Sequence, residues 1–469
     1  MPLMVGAMTV AAFVLHLTQV HQSLFADEVI AYREIVGHSL TATIHDVGTG
    51  GDLCPPLFFV LAWFSAKLGD PTVWIRLPSL ILGAATIPVI YLLGRDTIGR
   101  AAGAIGAAAF AASPFALFFG VQARPYATAA FFTALSTYAV VRAVRSDERR
   151  WWALYAFAAA AAAYSHYTTV FVLVAQGAWG LWARRTSWRR PLLANLAAVA
   201  LYLPWLAYMH GGAALNEFAL IEPFTPRHVL EDVVRFIAGY QYAPVHAIPT
   251  EPGFVAIALC ALLGAIWLVR NYVRDRARAA HDLARGGLLV VVALAIATPL
   301  GLLLYSLLVQ DIWHTENLYA SAPAVMVALG ALLAAIPRRP RAIAVPVVLG
   351  VLVFGTVRAL SPTWVRPPYR AAASYLDQVA KPRDPVLLFT YSNVLDDAIP
   401  VQLKRPHTII TRAPKRWPRR SAGALAFVVV DNGRIHHFRR ALAPPGYKLI
   451  GRRRYTGAVS FTLFTYRAV

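Results

Sequence analysis

Cysteine and charge are both scarce in this chain of 469 residues. Its two cysteines, Cys54 and Cys260, fall in separate segments, so neither a disulfide framework nor a thiolate metal site is expected. Only 14% of the residues are charged, whereas 58% are hydrophobic. Soluble domains are about a quarter charged, so this composition indicates a membrane protein that crosses the bilayer several times.

The first 20 residues also lack the features of a cleavable signal. Met1–Val20 has no basic region at its start, and no small-x-small site precedes Asp27. We therefore expect an uncleaved first helix.

Apolar segments about as long as the hydrocarbon core is thick recur through the first three quarters of the chain. About eleven crossings are predicted, at Leu3–Val20, Arg76–Gly94, Ala101–Phe119, Ala123–Val141, Trp151–Tyr164, Thr168–Ala183, Pro191–Met209, Gly253–Val269, Gly286–Val309, Tyr319–Ile336 and Ala342–Leu360. Together they predict a polytopic α-helical membrane domain over residues 1–362.

Arginines cluster between alternate apolar segments and set the predicted orientation. They are Arg95 and Arg100; Arg142, Arg145, Arg149 and Arg150; Arg184, Arg185, Arg189 and Arg190; Arg270, Arg274, Arg276, Arg278 and Arg285; and Arg338, Arg339 and Arg341. By the positive-inside rule these loops and the N-terminus are cytoplasmic, and the loop with Asp27 and Glu28 faces outward. Basic loops explain the positive charge without a nucleic acid partner. Alanine- and arginine-rich usage favours a bacterial plasma membrane.

One apolar segment, "CPPLFFVLAWFSAKLG" at Cys54–Gly69, breaks the alternation. It is short for a crossing, and a crossing there would move every later arginine cluster to the outside. We predict an in-plane or re-entrant helix that starts at Pro55-Pro56, within an outer loop of residues 21–75.

The chain changes character after Leu360. "RPPYRAAASYLDQVAKPRDPVLLFTY" is typical of a helix, a turn and a strand, "ALAFVVVDNGRIHHFRRAL" of a strand and a helix, and "AVSFTLFTYR" of a strand. This alternation predicts an extracytoplasmic α/β domain over residues 363–469. From Thr363 onward, 19 Lys and Arg outnumber 5 acidic residues. A surface that rests on anionic headgroups explains this charge, and capture of an anionic glycolipid or wall polymer is the alternative.

Polar residues that are costly near a membrane gather on the predicted outer side. They are Asp27, Glu28, Tyr32, Arg33 and Glu34; Gln122, Arg124 and Tyr126; Ser165, His166 and Tyr167; and Asp311, His314, Glu316 and Asn317. Carboxylates, an arginine, histidines and tyrosines at one depth indicate chemistry on a lipid-borne substrate. An aromatic segment at residues 233–248 is a candidate lining of the acceptor groove.

The acidic loop is followed in order by "PPL", "IRLPS", "LLGRDTIGR" and "SPF....VQARPY". Over residues 20–140 this order resembles the GT-C membrane glycosyltransferases. It most resembles the branch of protein mannosyltransferases and of the aminoarabinose and galacturonosyl transferases of lipid A. The resemblance implies transfer of a sugar from a polyprenyl phosphate at the outer face, usually with inversion and without a nucleotide sugar.

The chemistry of such a transfer gives the candidate residues their roles. An acceptor hydroxyl needs a base to remove its proton, and Asp27 is the chosen base, with Glu28 as the second catalytic candidate. Partial burial and the neighbouring Glu28 would raise the pKa of Asp27. The leaving phosphate needs a fixed cation, and Arg124 can bind its oxygens with a planar fork. Four further candidates for the same phosphate are Tyr126, His166, Lys67 and Arg76.

Substrate contacts are assigned to Tyr32, His314, Glu316 and Asn317. In much of the family an arginine-tyrosine pair begins the helix at Tyr319, where this chain has Glu316-Asn317. This departure weakens any phosphate role there and points to a different donor or acceptor. Adjacent carboxylates without a histidine pattern are thin evidence for a divalent cation, so no cofactor or metal is predicted.

The predicted function is therefore an inverting glycosyltransferase dependent on a polyprenyl-phosphate sugar, with a lipid, glycan or protein acceptor. A flippase or transporter of lipid-linked sugars is one alternative, although such carriers show internal repeats and polar residues at the bilayer midplane. A non-catalytic lipid-binding protein of the same fold is another. The sequence does not identify the sugar or the acceptor.

Overall fold

A computed structural model describes residues 1–49, 54–206, 208, 224–240, 250–274, 287–389, 398–411, 423–431 and 444–469. The helix expected after Asp431, the second half of the aromatic segment, and three arginines of one loop (Arg276, Arg278 and Arg285) lie outside these residues. The chain divides into two compact units. The membrane unit comprises Met1–Val20, Glu34–Leu68 and Trp74–Ala359, and the sheet unit comprises His21–Arg33, Gly69–Val73 and Leu360–Val469.

Each predicted apolar segment coincides with a helix or a bent pair of helices. The helices are α1 (Pro2–Leu17), α2 (Asp27–Ile35), α3 (Leu40–Gly48), α4 (Leu57–Ser65), α5 (Pro71–Trp74), α6 (Leu77–Thr97), α7 (Arg100–Ala112), α8 (Pro114–Val121), α9 (Tyr126–Ser146), α10 (Arg149–Ala163), α11 (Thr169–Ala183), α12 (Arg189–Leu206), α13 (Pro226–Ala238), α14 (Thr250–Arg274), α15 (Gly287–Leu308), α16 (Ala322–Ala335), α17 (Arg338–Ala359) and α18 (Tyr369–Val379). Helices α2, α3, α5 and α13 lie outside the predicted apolar segments. Short 3-10 helices occupy Ala66–Leu68, Arg185–Ser187, Thr315–Ser321 and Pro400–Gln402.

These helices make the chain a polytopic membrane protein. Within the described residues, six helical segments are long and apolar enough to span a bilayer, or seven if a bent pair counts as one span. The six are Pro71–Thr97, Tyr126–Ser146, Thr250–Arg274, Gly287–Leu308, Thr315–Ala335 and Arg338–Ala359. Eleven crossings and their orientation remain predictions. Helix α4 has 9 residues and rises about 14 Å, which is too short to cross the hydrocarbon core by itself.

The segment predicted as one crossing at Ala101–Phe119 is divided into two helices. Helices α7 and α8 meet at a bend of 63° at Ser113. Ser113 is held in an extended conformation, as the residue before a proline prefers, and its hydroxyl accepts from the Ala116 N–H (3.3 Å). Pro114 then begins α8, where its missing N–H costs no helical bond.

Glycines bring the helices of the membrane unit close together. A Cβ on Gly103 of α7 would lie 2.5 Å from the Tyr91 carbonyl oxygen of α6, and one on Gly106 would lie 2.6 Å from the Met326 carbonyl oxygen of α16. Such close approach of backbones is the usual basis of helix association in membranes. Helix α7 is therefore packed between α6 and α16 with little side-chain volume at the contacts.

The sheet unit contains a five-stranded mixed sheet. Its strands are β1 (Pro385–Phe389), β2 (Thr408–Ile410), β3 (Leu425–Asp431), β4 (Tyr447–Tyr455) and β5 (Phe461–Ala468), in the order β2-β1-β3-β5-β4. β1 pairs in parallel with β2 and β3, and β5 pairs antiparallel with β3 and β4. The predicted strands at β1, β3 and β5 and the helix at α18 are confirmed. The two edge strands, β2 and β4, were not predicted.

Candidate active site

A buried turn between α8 and α9 positions Arg124. The Arg124 N–H donates to the Gln122 carbonyl (2.8 Å), and the Arg124 carbonyl accepts from the Ser79 hydroxyl of α6 (3.2 Å). These bonds satisfy backbone groups that the helix ends leave open. The Arg124 side chain is 6% exposed, and its Nη2 lies 3.6 Å from the Cys54 Sγ. A guanidinium is thus held below the surface by the turn that carries it.

Tyr126 and His166 are in contact beside this turn, with their ring planes tilted by 39°. Tyr126 begins α9, and its ring centroid is 5.3 Å from that of His166 in the turn between α10 and α11. The His166 Nδ1 accepts from the Thr168 N–H (3.3 Å) and lies 2.8 Å from the Thr168 hydroxyl. Because Nδ1 acts as the acceptor for this N–H, the proton of the neutral ring is assigned to Nε2, which becomes a donor.

Three turns of the membrane unit join at these residues. The Leu57 N–H at the start of α4 donates to the Tyr164 carbonyl (3.0 Å), which ties the Cys54–Leu57 turn to the turn of His166. The same Cys54–Leu57 turn meets Arg124 through Cys54. Arg124, Tyr126 and His166, which lie 42 positions apart at most in sequence, therefore belong to one buried group, named here the Arg124 cluster.

A row of buried rings connects the Arg124 cluster to the predicted substrate-binding turn. Phe119 lies 4.8 Å from Tyr126 and 4.9 Å from Tyr319, measured between ring centroids. Tyr319 belongs to the 3-10 helix Thr315–Ser321, so the turn with Glu316 is held in a fixed relation to the cluster. Aromatic pairs at these distances contribute about 0.5–1.5 kcal/mol each beyond their buried area.

The turn itself is braced by hydrogen bonds at its two ends. At one end, the Asn317 side-chain amide donates to the Ile312 carbonyl (2.8 Å). At the other, the Ser321 hydroxyl donates to the Leu294 carbonyl (2.8 Å) and accepts from the Thr298 N–H (3.2 Å). Ser321 thereby replaces a helical bond of α15 just before Pro299, where the helix is already interrupted.

Helix α13 adds a charged pair that sequence reasoning missed. The Asp232 carboxylate, which is buried, accepts from the Arg235 guanidinium (2.9 Å) and from the Thr315 hydroxyl. His314 and Glu316 face each other beside it, with 3.6 Å between the His314 Nδ1 and the Glu316 Oε2. The spacing of Asp232 and Arg235 is also typical of an exposed helix face, so the sequence offered no signal for this contact.

Two predicted phosphate ligands have other partners. Arg76 is fully buried at the start of α6, and its Nη1 donates to the Val20 carbonyl (2.6 Å). Lys67 is exposed, and its Nζ lies 3.0 Å from the centroid of the Trp63 ring. The Val20 carbonyl is one of the partners that a buried guanidinium needs, and a cation–π contact accounts for the position of Lys67.

In the sheet unit, Glu28 forms a buried ion pair. Its Oε2 lies 3.2 Å from the Arg366 Nε and accepts from the Phe25 N–H (3.3 Å). Glu28 is 0% exposed and Arg366 is 6% exposed. Each charge therefore helps to compensate the other, since a lone buried charge is strongly unfavourable. This contact gives the Glu28 carboxylate a structural partner.

Asp27 is half-buried at the first position of α2. The residue before it, Ala26, has a left-handed backbone with φ of +49°. For alanine this conformation costs about 1–2 kcal/mol, so the surrounding contacts impose it. The acidic pair is thus presented by a strained turn, with Glu28 directed into the ion pair and Asp27 left partly accessible.

Arg370 holds the acidic loop and the segment Gly69–Val73 within the sheet unit. Its N–H donates to the Ser23 hydroxyl (2.9 Å), and its guanidinium bonds Thr72 (2.7 Å) and Asp70 (3.4 Å). Burial works against ionisation of Asp70, but the bonds from Thr72 and the charge of Arg370 lower its pKa. Burial, and then the charge of Asp70, raise the pKa of Tyr32, so its phenol stays protonated at neutral pH.

The described residues contain no group of three or more His, Cys, Asp and Glu side chains that could hold a metal ion. The structure places the residues predicted from the sequence in three groups. Arg124, Tyr126 and His166 form one cluster, and His314, Glu316 and Asn317 form the turn connected to it by rings. Asp27, Glu28 and Tyr32 belong to the sheet unit.

The chain matches one family in sequence. The model of the dolichyl-phosphate-mannose-protein mannosyltransferase family matches residues 54–208 of the 469-residue chain. This range contains the turns of Cys54, Arg124 and His166. No curated protein matches the sequence.

Solved structures resemble the whole chain. The apo structure of ArnT from Cupriavidus metallidurans has a TM-score of 0.58 at 14% identity, over 99% of this chain and 98% of that one. The same protein bound to undecaprenyl phosphate has a TM-score of 0.48 at 17% identity, with the same coverage of 99% and 98%. The oligosaccharyltransferase of Archaeoglobus fulgidus, tethered to an acceptor peptide, has a TM-score of 0.50 at 12% identity, over 85% of this chain and 63% of that one.

The chain is a polytopic membrane protein whose fold resembles that of ArnT. The resemblance to the GT-C glycosyltransferase superfamily, in its branch of ArnT and the protein mannosyltransferases, is confirmed.

Proposed function

We propose that the chain is a glycosyltransferase that moves a sugar from a polyprenyl phosphate to a hydroxyl of a lipid, glycan or protein acceptor, at the outer face of a bacterial plasma membrane. The observation that carries this proposal is the Arg124 cluster, where connected turns carry a buried guanidinium and two rings that can donate hydrogen bonds. Such a group suits a phosphate that gains negative charge as it leaves. The donor named in the description of the matched family supports the same class.

In the proposed reaction the acceptor oxygen attacks the anomeric carbon. A bond forms between these atoms as the bond from the carbon to the phosphate oxygen breaks, which inverts the configuration. Asp27 takes the proton of the hydroxyl, and the polyprenyl phosphate leaves with its negative charge at Arg124. The Tyr126 hydroxyl and the His166 Nε2 donate to the phosphate in this scheme.

The other candidates are given supporting roles. Because Glu28 is ion-paired with Arg366, we assign it to positioning the loop of Asp27 rather than to proton transfer. Tyr32, with its raised pKa, would donate to a substrate oxygen. His314, Glu316 and Asn317 would contact the sugar or the acceptor. Lys67 and Arg76 are retained as weaker candidates for the phosphate, and no metal or cofactor is proposed.

The test is sugar transfer by the purified full-length protein in lipid. Polyprenyl-phosphate mannose, arabinose and glucose are offered with a membrane lipid extract as acceptor, with and without EDTA. Asp27→Asn is compared with wild type and with Glu148→Gln, which alters an exposed carboxylate paired with Arg150 between α9 and α10. A thermal melt of each variant checks its folding.

We expect transfer from at least one donor, little effect of EDTA, loss of at least a hundredfold in Asp27→Asn and full activity in Glu148→Gln, as for removal of a general base. Transfer that survives in Asp27→Asn would contradict the base assignment while keeping the enzyme. Absence of transfer from every donor would contradict the enzyme and favour a transporter or a lipid-binding protein.

A further inference from the structure

An arginine-lined cavity lies at the end of the helices remote from the Arg124 cluster. Its volume is about 770 Å³, and its lining includes Arg95, Arg100, Arg145, Asn271 and Arg274. Arg95 is 16 residues from Ser79 on α6, which corresponds to about 24 Å along the helix. Since Ser79 bonds the Arg124 turn, the cavity and the candidate active site lie near opposite ends of α6.

The cavity carries an excess of positive charge. Among the residues described as lining it, four are arginines and one, Asp96, is acidic. The Asp96 carboxylate is already bound by Arg95 (2.6 Å) and Arg142 (3.2 Å). Arg100 and Arg274 are exposed, and within the described part of the chain neither forms an ion pair. Two guanidinium groups thus remain to bind an anion.

An apolar groove of about 540 Å³ runs along α14 and shares Arg274 with the cavity. It is shallow, and one face of α14 lines it with Ala265, Ile266, Val269, Arg270, Val273 and Arg274. Ile266, Val269 and Val273 are 56%, 62% and 61% exposed. Helix α14 is long and apolar enough to span a membrane, so this groove lies at the depth of lipid chains.

From this combination we infer that the arginine-lined cavity and the apolar groove together bind one anionic phospholipid. Its phosphate occupies the cavity with Arg100 and Arg274, and an acyl chain lies along α14 in the apolar groove. Basic pockets between transmembrane helices have the chemistry that lipid phosphates need. A soluble phosphate would fill the arginine cavity alone, whereas the groove that continues from Arg274 matches a ligand with a hydrocarbon chain.

The experiment is native mass spectrometry of the delipidated full-length protein in detergent. Dioleoyl phosphatidylglycerol is titrated against dioleoyl phosphatidylcholine, which has the same chains but no net charge, and glycerol 3-phosphate serves as the headgroup alone. The test variant is Arg100→Gln/Arg274→Gln. The control is Arg185→Gln/Arg189→Gln, which removes the same charge at exposed positions outside the cavity lining.

We expect phosphatidylglycerol to bind at least tenfold more tightly than phosphatidylcholine. Loss of Arg100 and Arg274 should weaken the binding of phosphatidylglycerol by about fivefold for each arginine, or about 25-fold together, and the control should change it by less than about threefold. An equal loss in the control would overturn the site in favour of diffuse surface charge. Equal binding of phosphatidylcholine would overturn the anionic class, and equal binding of glycerol 3-phosphate would overturn the lipid. Because the readout is lipid binding, it is independent of sugar transfer.

Discussion

At the scale of single residues, Arg124 is distinguished by the rigidity of its setting. Its backbone is bonded on both sides, to Gln122 and Ser79, and its guanidinium is buried against Cys54. A planar group fixed in this way can bind two phosphate oxygens with little loss of rotamer entropy.

Replacing Arg124 by lysine tests whether this geometry matters beyond the charge. Arg124→Lys keeps the positive charge but loses the planar fork, so we expect the turnover rate of sugar transfer to fall at least tenfold. Arg185→Lys, at an exposed position, is the control and should retain full activity. Unchanged turnover in a folded Arg124→Lys protein would mean that a point charge suffices.

The buried pair of Glu28 and Arg366 makes a second prediction. Glu28→Gln removes the carboxylate charge that faces the buried Arg366 guanidinium, so we expect a loss of about 3–5 kcal/mol in the stability of the sheet unit. Glu28→Leu/Arg366→Met removes both charges and should cost much less than the sum of the two single changes.

Thermal and denaturant melts of the purified protein measure these differences. Because Glu28 is assigned to positioning, the double variant should retain transfer when activity is normalised to folded protein. A double variant that folds as well as wild type but loses transfer would instead place Glu28 in the chemistry.

The sequence identifies some of the functional residues but not their partners. Arg124, Tyr126 and His166 are polar residues at the ends of apolar segments, where a charge is costly, and this position alone marks them as candidates. The partner of Glu28 could not be foreseen, because Arg366 lies in a distant segment that begins an ordinary helix. Asp232 was missed for a different reason, because a carboxylate on an amphipathic helix is usually solvated.

At the scale of helices, the packing of α7 depends on glycine. Gly103→Ala would place a methyl group 2.5 Å from the Tyr91 carbonyl oxygen and 2.7 Å from the Arg95 backbone nitrogen, so α6 and α7 must move apart. We expect a loss of about 1–3 kcal/mol, as for overpacked cores.

Gly350→Ala in α17 is the matched control, since a Cβ there meets nothing within 4 Å. This variant should be neutral or slightly more stable, because alanine favours helix more than glycine does. The melting temperatures of the two variants in one detergent make the comparison. Equal melting temperatures would show that the contact between α6 and α7 adapts freely.

The turn between α9 and α10 carries a prediction about pH. Asp147 has a left-handed backbone with φ of +55° and bonds Trp152 (3.2 Å) and Arg190 (2.6 Å). Burial opposes ionisation, but these two bonds together lower the pKa of Asp147 below its usual range. A lowered pKa in the folded state adds stability at neutral pH, and this contribution is lost as the pH falls through the folded value.

Asp147→Asn should therefore reduce the melting temperature at pH 7 and have little effect well below the folded pKa. Asparagine tolerates the left-handed conformation, whereas alanine does not, so Asp147→Ala should cost about 1–2 kcal/mol more at either pH. Melts of both variants at pH 7 and at acidic pH measure the difference. A loss in Asp147→Asn that is independent of pH would rule out the charge as its cause.

Most of the helices in the membrane unit could be predicted from the sequence, because the length of each apolar segment and the helix-breaking residues at its ends determine them. Each predicted crossing coincides with a helix or a bent pair of helices. The bend at Ser113 was missed because Ala101–Phe119 is uniformly apolar, and hydropathy does not register the local effect of Pro114. Strand β4 was missed because "YKLIGRRRY" is rich in arginine, as suits an exposed edge strand.

At the scale of the whole molecule, the compact unit that ends the chain includes two segments from its beginning. His21–Arg33 and Gly69–Val73 belong to the sheet unit together with Leu360–Val469. The sequence indicated a domain of residues 363–469 alone, because the bonds from Arg366 and Arg370 to the early segments join residues far apart in sequence.

Residues 360–469 expressed alone should therefore be less stable than the same residues linked to 21–33. The early segment supplies Glu28 to the buried Arg366 and Phe25 to the ring of Tyr369 (6.4 Å between centroids). We expect a difference of about 3–5 kcal/mol in a urea titration followed by circular dichroism. Equal stability of the two fragments would show that the sheet folds without the acidic loop.

The shared unit has a consequence for how such proteins can be recombined. A chimera that receives the last 110 residues of a relative, and keeps its own first loop, would join an acidic segment to a domain that did not evolve with it. The exchangeable module is discontinuous, comprising residues 21–33, 69–73 and 360–469. Specificity swaps between relatives should therefore transplant all three segments together.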